Sequence, residues 1–243
     1  MTSPPGFLRS PPPEGAGLLY FLQVATSSFP TGAFSHSYGF EQLIAEEQIT
    51  NADSLQRELH RWLRYGVATA DGAACALAWD AANGEADPIP VLAAIDETLY
   101  AIRITRETRQ ASLSTGSAFI IAAFDAFHGT QLGRYREAVA AGTCMGQFAT
   151  AFGVAATDAG ASRHSAVLAF LHGSFSSLVS VAARLIPLGQ IATQRIITDA
   201  VGVIEDCCET SLATGIDELA TTTPALDLAS MAHERLYTRL CIS

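Results

Sequence analysis

The feature that most restricts this chain is the spacing of its apolar residues. Ala-rich segments recur with helical periodicity, and no stretch shows a sustained two-residue alternation of β-branched side chains. Leu55, Leu59, Trp62 and Leu63 fall at i, i+4, i+7 and i+8, one stripe of a helix, whereas Arg57, Arg61 and Arg64 lie on another stripe of it. Thr50-x-x-Asp53 ahead of this run predicts a cap, and Gly66 predicts an end or a kink. Breakers at Pro30/Gly32, Gly84/Pro88/Pro90, Gly129/Gly133, Gly160, Pro187/Gly189, Gly215 and Pro224 divide the rest into roughly nine or ten helices without a long linker. The expected fold is a single all-α domain over residues 17–243. Residues 1–16 read as a flexible tail, with five prolines and no apolar run of the signal or anchor type.

An apolar fraction of 49% against 16% charge supports a large core and excludes disorder for most of the chain. Three uncharged runs, 110–124, 138–157 and 164–183, are long enough to raise a membrane reading, and the second contains Gly142-x-x-x-Gly146. It is mostly Ala, Gly and Thr, and the third carries two His and five Ser, so neither has the apolar density of a span. They are expected to be central helices buried all round.

Charge and residue usage exclude several functions. The net charge of −10 disfavours nucleic-acid binding and suits solubility or a basic protein partner. Every one of the fourteen basic residues is Arg, so a P-loop, a kinase lysine and Schiff-base catalysis are all impossible here. The five cysteines (75, 144, 207, 208 and 241) are odd in number, irregularly spaced and without C-x-x-C, which points to reduced cytosolic thiols.

Three motifs approach catalytic signatures and miss them. Ser35-His36-Ser37-Tyr38-Gly39 lacks the first glycine of G-x-S-x-G and has no preceding strand, so a hydrolase using Ser37 and His36 is improbable. Its plainer readings are a helix start capped by Ser35 or Ser37 and a surface turn presenting Phe34. His233-Glu234 lacks the second histidine of H-E-x-x-H, where Tyr237 stands. His164 and His172, two turns apart, would need a third ligand to hold a metal. No resident cofactor or metal is expected.

Three segments stand apart from the Ala-rich background: 27–41, 184–195 and 224–243. In the second, Pro187-Leu188-Gly189-Gln190 signals a turn flanked by Arg184 and Arg195, which suit carboxylates, salt bridges within the domain or coverage of apolar surface. The third mixes the anchors Leu226, Leu228, Met231, Leu236 and Leu240 with the polar His233, Glu234, Arg235, Tyr237 and Arg239. It reads either as a last helix docked on its own core or as an arm that orders on a partner.

Together these segments resemble the UreF family of urease accessory proteins. The likeness rests on Pro30, Gly32, Ala33, Phe34, Ser35, Ser37, Gly39 and Glu41; on Arg184 to Gln190; and on Ser230, Met231, His233, Glu234, Tyr237, Arg239 and Leu240. A weaker match lies at Arg106-Glu107-Thr108-Arg109, and the family's terminal Arg-Leu-Phe-Arg-Ser is here Arg239-Leu240-Cys241-Ile242-Ser243. The resemblance implies a cytoplasmic, non-enzymatic, homodimeric chaperone that binds UreD (UreH), recruits the GTPase UreG and delivers the complex to apo-urease for nickel insertion. It favours the arm, with residues 224–243 as the docking segment, and surface contacts by Phe34, Ser35, His36, Ser37, Glu41, Arg184, Gln190, Arg195, Met231, His233, Glu234, Tyr237, Arg239 and Leu240. The alternative is an all-α module whose partner is unrelated.

Overall fold

The stripe at 55–63 nucleates the first long helix. In the computed structural model, which describes residues 15–26 and 28–243, α3 (Ala52–Trp62) is capped by Asn51, whose side chain accepts from Ser54 N while Ser54 Oγ accepts from Asn51 N. This reciprocal pair replaces the expected Thr50/Asp53 cap, because Asn51 has the extended backbone that aims its oxygen at the first turn. Leu55, Leu59 and Leu63 are wholly buried, each contributing about 1.5–3 kcal/mol of transfer free energy. Gly66 neither ends nor kinks the helix. It lies within a π-helical stretch, Leu63–Gly72, which runs without a break into α4 (Ala73–Asn83).

The remaining helices are α1 (Ala16–Val24), α2 (Phe40–Ala45), α5 (Ile89–Ile102), α6 (Arg106–Phe127), α7 (Thr130–Ala140), α8 (Phe148–Asp158), α9 (Arg163–Leu185), α10 (Gln190–Asp199), α11 (Val201–Ala213) and α12 (Pro224–His233). Counting α3, the π stretch and α4 as one rod, the described residues hold eleven α-helices and no strand. The all-α single domain is thus observed, with slightly more helices than the breakers suggested. Gly15 and Ala16 already begin α1; the rest of the expected tail, like Ser27, lies outside the described residues.

Helix α8 is the centre, packed on α4, α6, α7 and α9. Ala149 to Ala156 are all buried, so this short helix is enclosed on every side. Gly153 makes this possible, since a Cβ there would fall into the carbonyl of Cys75 on α4. Around it Phe119, Phe148, Phe152 and Phe170 form an aromatic cluster with ring centroids 5.4–6.1 Å apart. The other two uncharged runs lie in α6 and α9, which bury one side and expose residues such as Ile121 and His172 on the other. The run at 138–157 is not one helix. Gly142 and Gly146 adopt φ 77 and φ 81 in the turn between α7 and α8, conformations that favour glycine. Helix α9 has the length and hydropathy of a membrane span, yet 56% of its most apolar part is buried against this body, as in the core helix of a globular protein.

One buried carboxylate secures the turn at 141–147. Asp96, on α5, accepts Tyr135 Oη at 2.7 and 2.9 Å and the amides of Met145 and Gly146 at 2.8 and 2.9 Å. Burial pushes its carboxyl above the ordinary aspartate range, while these donors pull the other way. The five cysteines are all free and buried. Burial pushes the Cys75 thiol well above its ordinary value and raises that of Cys207 to about 11.

Candidate functional site

The outlying motifs of the sequence converge where α2, the start of α6, the end of α9 and the C-terminus meet. Pro224 starts α12 in a position where its missing N–H costs nothing. The helix buries Leu226, Ala229, Ser230 and His233 against α2 and α6. Gly39 permits the approach: its φ is 88, and a Cβ would lie 2.8 Å from Leu226 O and 3.0 Å from Ser230 N. Ser230 Oγ hydrogen-bonds Thr105 Oγ1 at 3.2 Å, and Thr105 is itself the N-cap of α6.

At the end of α12, His233 is 0% exposed and lies between two glutamates. Its Nε2 is 2.8 Å from Glu41 Oε2 and its Nδ1 is 2.8 Å from Glu107 Oε2. Both ring nitrogens therefore have a carboxyl oxygen within hydrogen-bond distance, and neither is left without a partner. Glu107 Oε1 also accepts from Arg239 Nη2 at 2.8 Å. Two glutamate side chains therefore share one imidazole and one guanidinium as partners, so no polar group of the cluster is buried alone.

Glu41 further accepts the amides of Leu240 at 2.7 Å and Cys241 at 2.9 Å. Burial alone would raise this carboxyl, but the Leu240 amide, His233 and the Cys241 amide outweigh it and hold it below the ordinary glutamate range. Beyond this point the tail is paired with the turn before α2. Ile242 N donates to Ser35 O at 2.7 Å, Ser37 N donates to Ser243 O, and Ser243 Oγ lies 2.7 Å from His36 Nδ1. Burial lowers the pKa of His36. Arg184, in the last turn of α9, donates to Phe34 O and places its guanidinium 5.9 Å from the Phe34 ring centre.

The expected site residues separate into two kinds. His36, Ser37, Glu41 and His233 are buried, and Arg239 is partly buried on Glu107; these hold the segment together. Phe34 (62% exposed), Met231, Tyr237 (99%) and Leu240 (79%) face outward, and Ser35 is half-buried beside them. Glu234 pairs with Arg106 at 2.9 Å on the surface. Gln190 and Arg195 are exposed on α10 and do not join the cluster.

Some expectations need correction. Neither Ser35 nor Ser37 caps α2: its N-cap is Gly39, Ser35 Oγ donates to Gly32 O, and Ser37 Oγ has no hydrogen-bond partner. The Ser37–His36 dyad of the hydrolase reading is not formed, since His36 Nδ1 bonds Ser243 instead. The C-terminal segment is not a free arm here, because Glu41 and Glu107 need His233, Arg239 and the tail amides as partners. Sequence reasoning missed Glu107. The signal was the Arg106-Glu107-Thr108-Arg109 match, combined with the requirement that a buried His and Arg find carboxylates.

Fold and site define an all-helical domain whose last helix and tail are locked by a buried Glu–His–Arg network. Among the described residues no three His, Cys, Asp or Glu side chains are arranged to hold a metal. The profile of the UreF family matches residues 49–201. The chain is 31% identical over 226 residues to the urease accessory protein UreF of Bacillus sp. (strain TB-90), covering 93% of this chain and 99% of that one. It is 35% identical over 225 residues to that of Picosynechococcus sp. (strain ATCC 27264 / PCC 7002 / PR-6), covering 91% and 97%. Against that of Rhodopseudomonas palustris (strain TIE-1) it is 33% identical over 230 residues, covering 95% and 94%. The chain belongs to the UreF family of urease accessory proteins, which are not enzymes.

Proposed function

We propose that this chain is a cytoplasmic, homodimeric chaperone of urease maturation. With UreD (UreH) it recruits the GTPase UreG and couples GTP hydrolysis to insertion of nickel, its cargo, into apo-urease. The reading rests on family membership and on one observation of this molecule. Helix α12, the tail held by the network and the turn paired with it together display exposed apolar and aromatic side chains, Phe34, Leu228, Met231, Tyr237, Leu240 and Ile242. Side chains of this kind, adjacent to Arg235 and Arg239, are what protein interfaces enrich. The absence of lysine fits a scaffold or regulator of a GTPase and not a second NTPase. Residues 224–243 serve as the main docking element for UreD, presented on the folded body.

Co-purification tests the assignment. The intact chain is expected to retain UreD, and through it UreG. The variant Tyr237→Ala/Leu240→Ala is expected to stay folded by circular dichroism while losing UreD and urease activation. Full-strength retention of UreD by that variant overturns the docking assignment, and failure of the intact chain to bind UreD or UreG overturns the partner assignment.

A further inference from the structure

Two backbone irregularities meet at one cavity. Tyr38 sits at φ 51, in the left-handed region that an aromatic residue seldom occupies. Leu63–Gly72 is π-helical, a geometry that is rare and recurs at functional sites. Both contribute to the wall of a partly open cavity of about 130 Å³, bordered among others by Tyr38, Trp62, Asp71, Arg103, Ser112 and Asp227.

The polar groups at this cavity restrict what it accepts. Arg103 is already committed: one guanidinium nitrogen donates to Asp71, and another donates to Leu99 O and Gln147 Oε1 at 3.1 and 3.3 Å. Asp227 has no salt-bridge or side-chain hydrogen-bond partner among the described residues. Ser112 is only 6% exposed, and its Oγ lacks a hydrogen-bond partner, so the wall holds an unused polar atom. Two carboxylates against one guanidinium leave a formal negative charge at the cavity, in a chain of net charge −10. That field repels an anion and attracts a cation. The rings of Tyr38 and Trp62, 5.9 Å apart and inclined by 37°, offer the π surface over which an ammonium is stabilised. The size sets the body of the occupant, since an engineered apolar cavity of about 150 Å³ takes up benzene.

We propose that this cavity binds a small organic cation: a primary ammonium on an apolar body about the size of a benzyl group. Asp227 supplies the counter-charge, and Tyr38 and Trp62 supply the aromatic wall. The site also touches the tail. The His36 ring borders the cavity while its Nδ1 contacts Ser243, so an occupant braces the surface to which the C-terminus is paired.

The test uses three probes of similar size on the intact protein at neutral pH: benzylamine, benzyl alcohol and benzoate. Benzylamine is expected to bind saturably, raising the melting temperature in step with the logarithm of its concentration. Benzyl alcohol is expected to bind about tenfold more weakly, and benzoate to give no saturable change. Asp227→Asn is expected to reduce benzylamine to the level of benzyl alcohol while leaving benzyl alcohol unchanged. The chain has two tryptophans, so in Trp79→Phe the emission of Trp62 alone reports occupancy of this site. The proposal is overturned if benzylamine shows no saturable effect, if benzoate binds as well as the amine, or if folded Asp227→Asn keeps full affinity. Should Asp227→Asn fold poorly, the three-probe comparison on the unmodified chain decides alone.

Discussion

Two buried carboxylate centres of this molecule are solved in opposite ways. Asp96 is wholly buried and is satisfied by neutral donors: the Tyr135 hydroxyl and the amides of Met145 and Gly146. All of these belong to α5, α7 and the turn before α8, in the body of the domain. Glu41 and Glu107 instead depend on His233, Arg239 and the amides of Leu240 and Cys241, all from the last eleven residues. Neutral donors fixed in the core make a permanent brace. Charged donors on a chain end make a latch, strong while closed and able to open because ionic groups regain hydration when the end leaves. The body is thus braced by neutral donors and the C-terminus by ionic ones.

The sharpest way to break this contrast is to remove both anchors and compare the losses. Asp96→Ala leaves a buried hydroxyl and two buried amides without an acceptor, and is expected to cost about 3–5 kcal/mol of global stability, read by denaturant unfolding. His233→Ala leaves two buried carboxylates facing each other, yet the loss is capped because the tail can swing out. It is expected to cost about 1–2 kcal/mol globally while sharply raising proteolytic cleavage after residue 233. Equal global losses with an intact tail would erase the distinction. Arg239→Ala, at a half-exposed end of the network, is expected to cost about 0.5–1 kcal/mol and to raise tail exchange modestly.

Acidification tests the same contrast through charge. His36 has a folded pKa below its ordinary 6.5, so the unfolded or released form binds the proton more readily. Tail closure is therefore expected to weaken as pH falls below about 6.5. Glu41, held below the usual glutamate value, adds a further loss in more acid solution. Asp96 has the opposite sign: its raised pKa means that the folded body gains, relative to neutral pH, as pH falls toward 3.8. Hydrogen-exchange protection of the tail, taken relative to the intrinsic rate at each pH, should accordingly fall at mildly acid pH before that of the body, and simultaneous loss would refute the latch. The smallest effect is expected for Tyr237→Ala: with its side chain in solvent, stability should stay within about 0.5 kcal/mol of the unaltered chain, and any loss should appear in partner binding alone.

Much of this architecture was legible before the structure. The stripe at Leu55, Leu59 and Leu63 predicts a buried helical face, and that face is buried. Gly32 and Pro187 mark breaks between helices, and the helices do break at both. The motif residues also proved to be related in space, with Glu41, His233 and Arg239 joined through Glu107. What did not follow was which of them face outward. Residue type makes Glu41 and His233 look like surface groups, since charged side chains are seldom buried, and only pairing across nearly two hundred residues reverses that expectation.

The sequence by itself determined the class of the molecule: helical periodicity excludes a sheet, the absence of lysine excludes nucleotide chemistry of the P-loop kind, and three motifs in order point to the family. Those properties depend on neighbours a few residues apart or on a residue type being present at all. Only the tertiary structure decided that Gly66 continues a helix, that Gly142 and Gly146 turn the chain, and that the C-terminal segment is latched and not free. Each of these depends on what a distant segment brings to the same place: Thr223 beside Gly66, Asp96 beneath the turn at 145–146, and two glutamates on either side of His233. Local pattern carries no information about such long-range pairing, and it is the pairing that sets the burial and charge of each group.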